Sequence, residues 1–176
     1  FQPTFSEYAD ACRMHGHRVS ALYQLPTERD AYRLSSDIRM LWLCNPNNPT
    51  GRVEDKAYLR NLIEYNPRVC FVIDQSYEAF TLDSLFASAE VIDFPNVLLL
   101  HSLTKRYAMP GLRLGYLTGN SSLLNRLRTH RMPWSVNQLA IEAGLYLLEH
   151  PLEAPMDVES YLQETARLRI NLEQLG

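Results

Sequence analysis

Apolar residues along this chain gather in two kinds of run. Met40-Leu41-Trp42-Leu43-Cys44, Val69 to Ile73 and Val97 to Leu100 are short and almost wholly apolar, and residues 113–118 form a fourth, more mixed run. Runs of this length, apolar on both sides, predict strands covered on both faces. Residues 17–25 alternate between apolar and polar and predict a further strand. Longer stretches repeat at spacings of three and four. Residues 54–65 carry Leu59, Leu62 and Ile63 on one side, and residues 5–14, 123–131, 136–149 and 158–175 show the same habit, so all five predict amphipathic helices. Ser6 stands where the first of them needs a cap, and Pro133, Pro151 and Pro155 separate the later ones.

Strands alternating with amphipathic helices define an α/β class, expected as a three-layer sandwich whose mostly parallel sheet is covered by helices. Residues 1–150 are expected to form one domain and residues 151–176 a helix leading out of it. In such sheets ligands bind beyond the carboxyl ends of the strands, so the polar residues found there carry the functional information.

Composition narrows the partners. The chain has 176 residues, 46% of them hydrophobic, and a net charge of −3. Its Lys and Arg residues are scattered, which argues against nucleic acid or an anionic membrane and favours a small-molecule partner. Cys12, Cys44 and Cys70 are odd in number and lack C-x-x-C spacing, so they are expected as reduced core thiols. No apolar stretch is long enough to span a bilayer and no signal peptide opens the chain, from which a cytoplasmic location is expected. A start at Phe1 and an end just past a helical run read as a piece of a longer protein. His15, His17, His130 and His150 have no metal-ligand spacing with Cys or Asp and are expected at the surface, with no metal site.

Three predicted strands end in unusual polar segments: Asn45 to Gly51, Asp74-Gln75-Ser76-Tyr77, and Ser102-Leu103-Thr104-Lys105 with Arg113 eight residues further on. Each alone has an ordinary explanation. A lone Asp at a strand end is usually a cap, and a lone Lys a solvated charge. His101 beside Ser102 suggests a nucleophile, but neither a G-x-S-x-G turn nor a general-base pattern accompanies it. Together the segments match what pyridoxal 5′-phosphate (PLP) requires. That cofactor needs a lysine amine for its C4′ aldehyde, a carboxylate for its pyridinium nitrogen, amide or phenol donors for its 3′-oxygen, and an arginine with hydroxyls for its phosphate. Lys105, Asp74, Asn48 with Tyr77, and Arg113 with Ser102 and Thr104 supply these in turn.

The same residues carry a resemblance. Asn45-Pro46-Asn47-Asn48-Pro49-Thr50-Gly51 resembles the N-P-x-N-P-T-G signature of class I/II aminotransferases, the fold-type I PLP enzymes. Asp74-x-x-Tyr77 and Ser102-x-x-Lys105 with Arg113 resemble their D-x-x-Y and S-x-x-K segments. Pro3-Thr4-Phe5-Ser6-Glu7-Tyr8 is similar to the P-T-[FY]-x-x-Y of the branch that holds histidinol-phosphate aminotransferase and L-threonine-O-3-phosphate decarboxylase, where the aromatic at the Phe5 position stacks on the cofactor. Residues 102–116 and 132–137 look more like the decarboxylase, an enzyme of cobalamin synthesis, and Trp134 and Asn137 become candidates for the substrate side. The chain departs from the branch at Gln75 and Ser76, where D-E-A-[FY] is usual.

The resemblance implies a homodimer with Lys105 as the catalytic residue, acting on a phosphorylated amino acid or amine. It implies an enzyme about twice this length. An upstream phosphate-binding loop, a tyrosine lent by the partner subunit, and a downstream small domain with a carboxylate-gripping arginine would lie outside this sequence. An aminotransferase-like domain serving a regulator as a PLP sensor is the alternative from another class.

Overall fold

The computed structural model describes residues 1–150 and 156–175. Four strands form one sheet in the order β1-β2-β3-β4: β1 (Met40–Cys44), β2 (Cys70–Asp74), β3 (Val97–Ser102) and β4 (Gly115–Gly119). The first three are parallel, with Cys44 beside Asp74 and Asp74 beside Leu100. The last is antiparallel, pairing Ser102 with Gly115. The architecture is α/β with a mostly parallel sheet, as expected.

One face of the sheet presents Leu41, Leu43, Phe71, Ile73, Val97 and Leu99 to a buried cluster that includes Phe86 and Val91. Helix α2 (Lys56–Glu64) closes this face with Leu59, Leu62 and Ile63, which its period brings to one side. Its start is fixed by Asp55, whose side chain accepts from the Tyr58 amide at 2.8 Å. Val72 and Asp74 point the opposite way by strand alternation. On that second face lies α1 (Glu7–Met14), whose buried Tyr8 stacks on Trp42 with ring centroids 5.0 Å apart.

Short α3 (Ser88–Val91) precedes β3, and α4 (Leu103–Arg106) follows it directly. Helices α5 (Ser121–Arg128), α6 (Gln138–Glu149) and α7 (Val158–Glu173) begin at Asn120, Asn137 and Asp157, each accepting from an amide of its own first turn. Among the described residues no helix is long and apolar enough to cross a membrane.

Several expectations need correction. Residues 17–25 form no strand. A strand exists through its ladder partners, and among the described residues this segment has a single such link, the amide of Gln2 bonding the Leu22 carbonyl at 2.7 Å. Ser6 gives its backbone carbonyl rather than its side chain to α1. The last strand starts at Gly115, not at residue 113, because Arg113 closes a 3₁₀ turn (Pro110–Leu112) in the left-handed region at φ 55°. Of the three free cysteines Cys44 is buried, whereas Cys12 and Cys70 are only partly covered. His15, His17, His130 and His150 are exposed, as expected. The domain boundary expected after residue 150, with Pro151 and Pro155, falls outside the described residues.

Candidate active site

The carboxyl ends of β1, β2 and β3 lie side by side, and the loops leaving them hold most of the polar residues singled out above. The loop after β1 is fixed by its own amides. Asn45 accepts from the Glu54 amide at 2.7 Å and donates to the Glu54 carbonyl at 3.2 Å, so the loop folds back on the start of α2. Asn47 donates to the Pro3 carbonyl at 2.9 Å and accepts from the Thr4 hydroxyl at 2.8 Å. Those two contacts bind the Pro3-Thr4-Phe5 segment to the end of β1. Asn48 is left with its amide free to reach across to the next strand, where its Nδ2 stands 3.4 Å from the Tyr77 phenol oxygen.

Asp74 ends β2 and is buried. Its Oδ1 accepts from the Ser76 amide at 2.8 Å and its Oδ2 from the Tyr8 hydroxyl at 2.6 Å. Burial first, and then the adjoining Asp74 carboxylate, push the Tyr8 phenol far above its ordinary range, so it stays a donor. Burial likewise raises the neighbouring Cys44 thiol. Phe5 meets Tyr8 edge-on at 5.5 Å and keeps much of its own ring exposed on the site side of α1.

Lys105 sits on α4, one turn beyond the end of β3, with an exposed side chain. Its Nζ is 5.7 Å from the centre of the Tyr77 ring. Thr104 is buried and Ser102 half-buried at the junction of β3 and α4. Arg113 reaches the same edge through pairing: Ser102 is opposite Gly115, and the Leu103 amide bonds the Leu114 carbonyl at 3.2 Å. The crossing is tight enough that a Cβ on Gly115 would come within 2.7 Å of the His101 carbonyl oxygen. The Arg113 guanidinium itself turns outward and donates to the Pro110 carbonyl at 2.9 Å, an exposed contact that a stronger acceptor can replace.

Tyr77 is therefore approached by both Lys105 and Asn48, Asp74 stands three residues before it at the end of β2, and Tyr8 links Asp74 to Phe5. Ser102, Thr104 and Arg113 share the strand edge, but no side-chain bond links the arginine to either hydroxyl. His101 is buried between Glu78 (3.0 Å) and Thr118 (3.2 Å) and stacks on Tyr116, which marks it as a link between β3, β4 and the turn after Tyr77. Asn137 caps α6 and also donates to the Leu112 carbonyl at 3.2 Å. Trp134 is 96% exposed. Gln75 is fully buried, and its side-chain amide has no hydrogen-bond partner among the described residues.

Tyr8 was visible in the sequence as the last residue of the Pro3-to-Tyr8 segment, with no role attached to it. Its bond to Asp74 spans 66 residues and leaves no local trace. The whole donor set fits PLP. A buried carboxylate already held by two donors, an amide and a phenol converging on one point, and an amine over the phenol ring are what the cofactor's ring nitrogen, 3′-oxygen and aldehyde require.

The chain is similar to known proteins. The family model described as aminotransferase class I and II matches residues 1–176. The histidinol-phosphate aminotransferase of Lactiplantibacillus plantarum is 30% identical over 173 residues, 94% of this chain and 49% of the relative. The threonine-phosphate decarboxylase of Salmonella typhimurium is 34% identical over 157 residues, 84% of this chain and 43% of the relative. A crystal structure of L-threonine-O-3-phosphate decarboxylase from Porphyromonas gingivalis superposes with a TM-score of 0.89 at 35% identity, over 99% of this chain and 53% of that one. The chain spans about half the length of the curated relatives it matches. With its signature residues gathered at one edge of the sheet, this chain belongs to the class I and II aminotransferase family, whose cofactor is pyridoxal 5′-phosphate.

Proposed function

We propose that the whole protein is a PLP-dependent enzyme acting on a phosphorylated amino acid or amine, and that its reaction is the decarboxylation of L-threonine O-3-phosphate. The observation that carries the cofactor part is the convergence of Lys105, Tyr77 and Asn48 beside the buried Asp74. The choice of reaction is supported by the likeness to the Porphyromonas gingivalis decarboxylase along nearly the whole chain.

When bound, the cofactor's pyridinium ring takes up the electron pair left when a bond at the substrate Cα breaks. Asp74 would keep the ring nitrogen protonated, because an opposite charge favours the charged form. Asn48 and Tyr77 would donate to the 3′-oxygen. Arg113, with the Ser102 and Thr104 hydroxyls, would hold the phosphate, the guanidinium exchanging its carbonyl partner for an anion. Phe5 would cover one face of the ring.

Lys105 would bind the cofactor's aldehyde carbon through its amine. Once the substrate amine has displaced it, the freed amine holds a proton within the site. In decarboxylation the Cα–carboxylate bond breaks, carbon dioxide leaves, and Lys105 returns a proton to Cα, giving aminopropanol phosphate. In transamination Lys105 instead removes the Cα hydrogen. Likeness to histidinol-phosphate aminotransferase at 30% identity over 94% of the chain favours this second reading. Which bond at Cα breaks would be set by how the substrate carboxylate is held, so its placement separates the two.

The test uses the whole protein, for which we also propose a homodimer in the cytoplasm. Incubation with L-threonine O-3-phosphate should release carbon dioxide and aminopropanol phosphate. Glutamate formed from histidinol phosphate and 2-oxoglutarate would favour the aminotransferase, and activity with neither substrate would remove both readings.

A further inference from the structure

The reading above uses Asp74 and leaves unexplained why a phenol is buried against it. Asp74 Oδ2 accepts from the Tyr8 phenol at 2.6 Å, while Oδ1 accepts from the Ser76 amide at 2.8 Å. Donors on different oxygens fix both the tilt and the rotation of a carboxylate, whose terminal torsion is otherwise broad. The phenol is itself immobilised. Its ring lies nearly parallel to Trp42 at 5.0 Å, with 16° between planes, and meets Phe5 edge-on at 5.5 Å. Burial keeps its proton in place, so the hydroxyl has one role available, that of donor.

We propose that Tyr8 is the positioning residue of this site, clamping the Asp74 carboxylate toward the cofactor's ring nitrogen and tying it to Phe5, so that the entry into α1 sets both contacts together. Phe5 lies just before the Ser6 cap of α1 and Tyr8 in its first turn, and Thr4 and Pro3 are anchored to Asn47. The same short segment would therefore place both the Phe5 ring and the Asp74 carboxylate against the cofactor. The inference rests on the site holding PLP.

Tyr8→Phe removes the hydroxyl while retaining the ring that stacks on Trp42. In the whole protein loaded with PLP, we expect dissociation of the cofactor, followed by loss of its visible band on ultrafiltration, to rise on the order of tenfold for a lost bond to a charged group. Turnover should fall by a similar factor with KM changed by less than about twofold, since substrate contacts are untouched. Loaded instead with the PLP analogue whose ring nitrogen is replaced by carbon, wild type and Tyr8→Phe should release the cofactor at the same rate, because Asp74 then has no ring N–H to meet. Tyr8→His, which keeps a ring and a donor, should recover most of the loss and gives the same comparison if Tyr8→Phe does not fold.

A variant that releases PLP no faster than wild type overturns the proposal. So does one that releases both cofactors equally faster, which is what a purely structural role would give. A wild-type protein that holds no PLP sinks the cofactor reading itself, a result distinguishable from either of these.

Discussion

The Asn48 side-chain amide lies 3.4 Å from the Tyr77 phenol oxygen, joining the ends of two neighbouring strands across 29 residues of sequence. The amide donates to the phenol oxygen there, which leaves the second amide N–H and the phenol's own O–H to donate elsewhere. They frame a position where an anionic oxygen would be met from two sides.

If that oxygen is the cofactor's 3′-oxygen, both donors stabilise its charge and oppose proton uptake by the lysine-bound cofactor. Tyr77→Phe should then raise the pH midpoint of the visible band by about one unit, with Asn48→Ala moving it the same way. An absorbance titration of the whole protein checks this, and an unmoved midpoint in both variants would place the oxygen elsewhere.

Lys105→Ala should abolish the visible band altogether, while the far-ultraviolet circular dichroism stays that of the wild type, because the side chain is exposed and supports no packing. Retention of the band would show that another amine holds the cofactor.

Arg113→Ala should weaken cofactor retention by about 2 kcal/mol, the usual cost of losing a charge-assisted bond. In the free protein its guanidinium meets only the Pro110 carbonyl among the bonds described, so apoenzyme stability should change little. Equilibrium dialysis against PLP, paired with thermal unfolding of the apoenzyme, separates the two effects.

Alkaline stability should depend on Tyr8. Its folded phenol titrates far above the ordinary value of 10.0, so below that pH both folded and unfolded states keep the proton and stability is unaffected. Above it only the unfolded chain ionises, and stability falls as pH rises. Denaturant unfolding between pH 9 and 11 should show a smaller decline for Tyr8→Phe than for wild type, after about pH 10.

Leu62→Ala is the control that leaves the site intact. Leu62 is wholly buried between α2 and the sheet, and its truncation should cost about 2 to 5 kcal/mol in denaturant unfolding without moving the visible band.

Much of this was readable from the chain alone. Apolar runs at residues 40–44, 69–73 and 97–100 fixed where the three parallel strands lie, because a strand buried on both faces leaves no room for polar residues until its end. The polar residues then had to appear at those ends, so Asn48, Asp74, Tyr77 and Lys105 could be picked out with their chemistry. Spacing and residue type are local properties, and sequence carries them directly.

Tertiary structure decided the rest, wherever a partner distant in sequence sets the outcome. Residues 17–25 alternate like a strand yet remain without a ladder, since alternation supplies a face but not a neighbour to pair with. Whether β4 would run parallel or antiparallel depended on the turn at residues 110–113, whose left-handed Arg113 reverses the chain within a few residues. The bond from Tyr8 to Asp74 exists because α1 packs on Trp42, and packing between surfaces remote along the chain is settled by three-dimensional complementarity that no local pattern encodes.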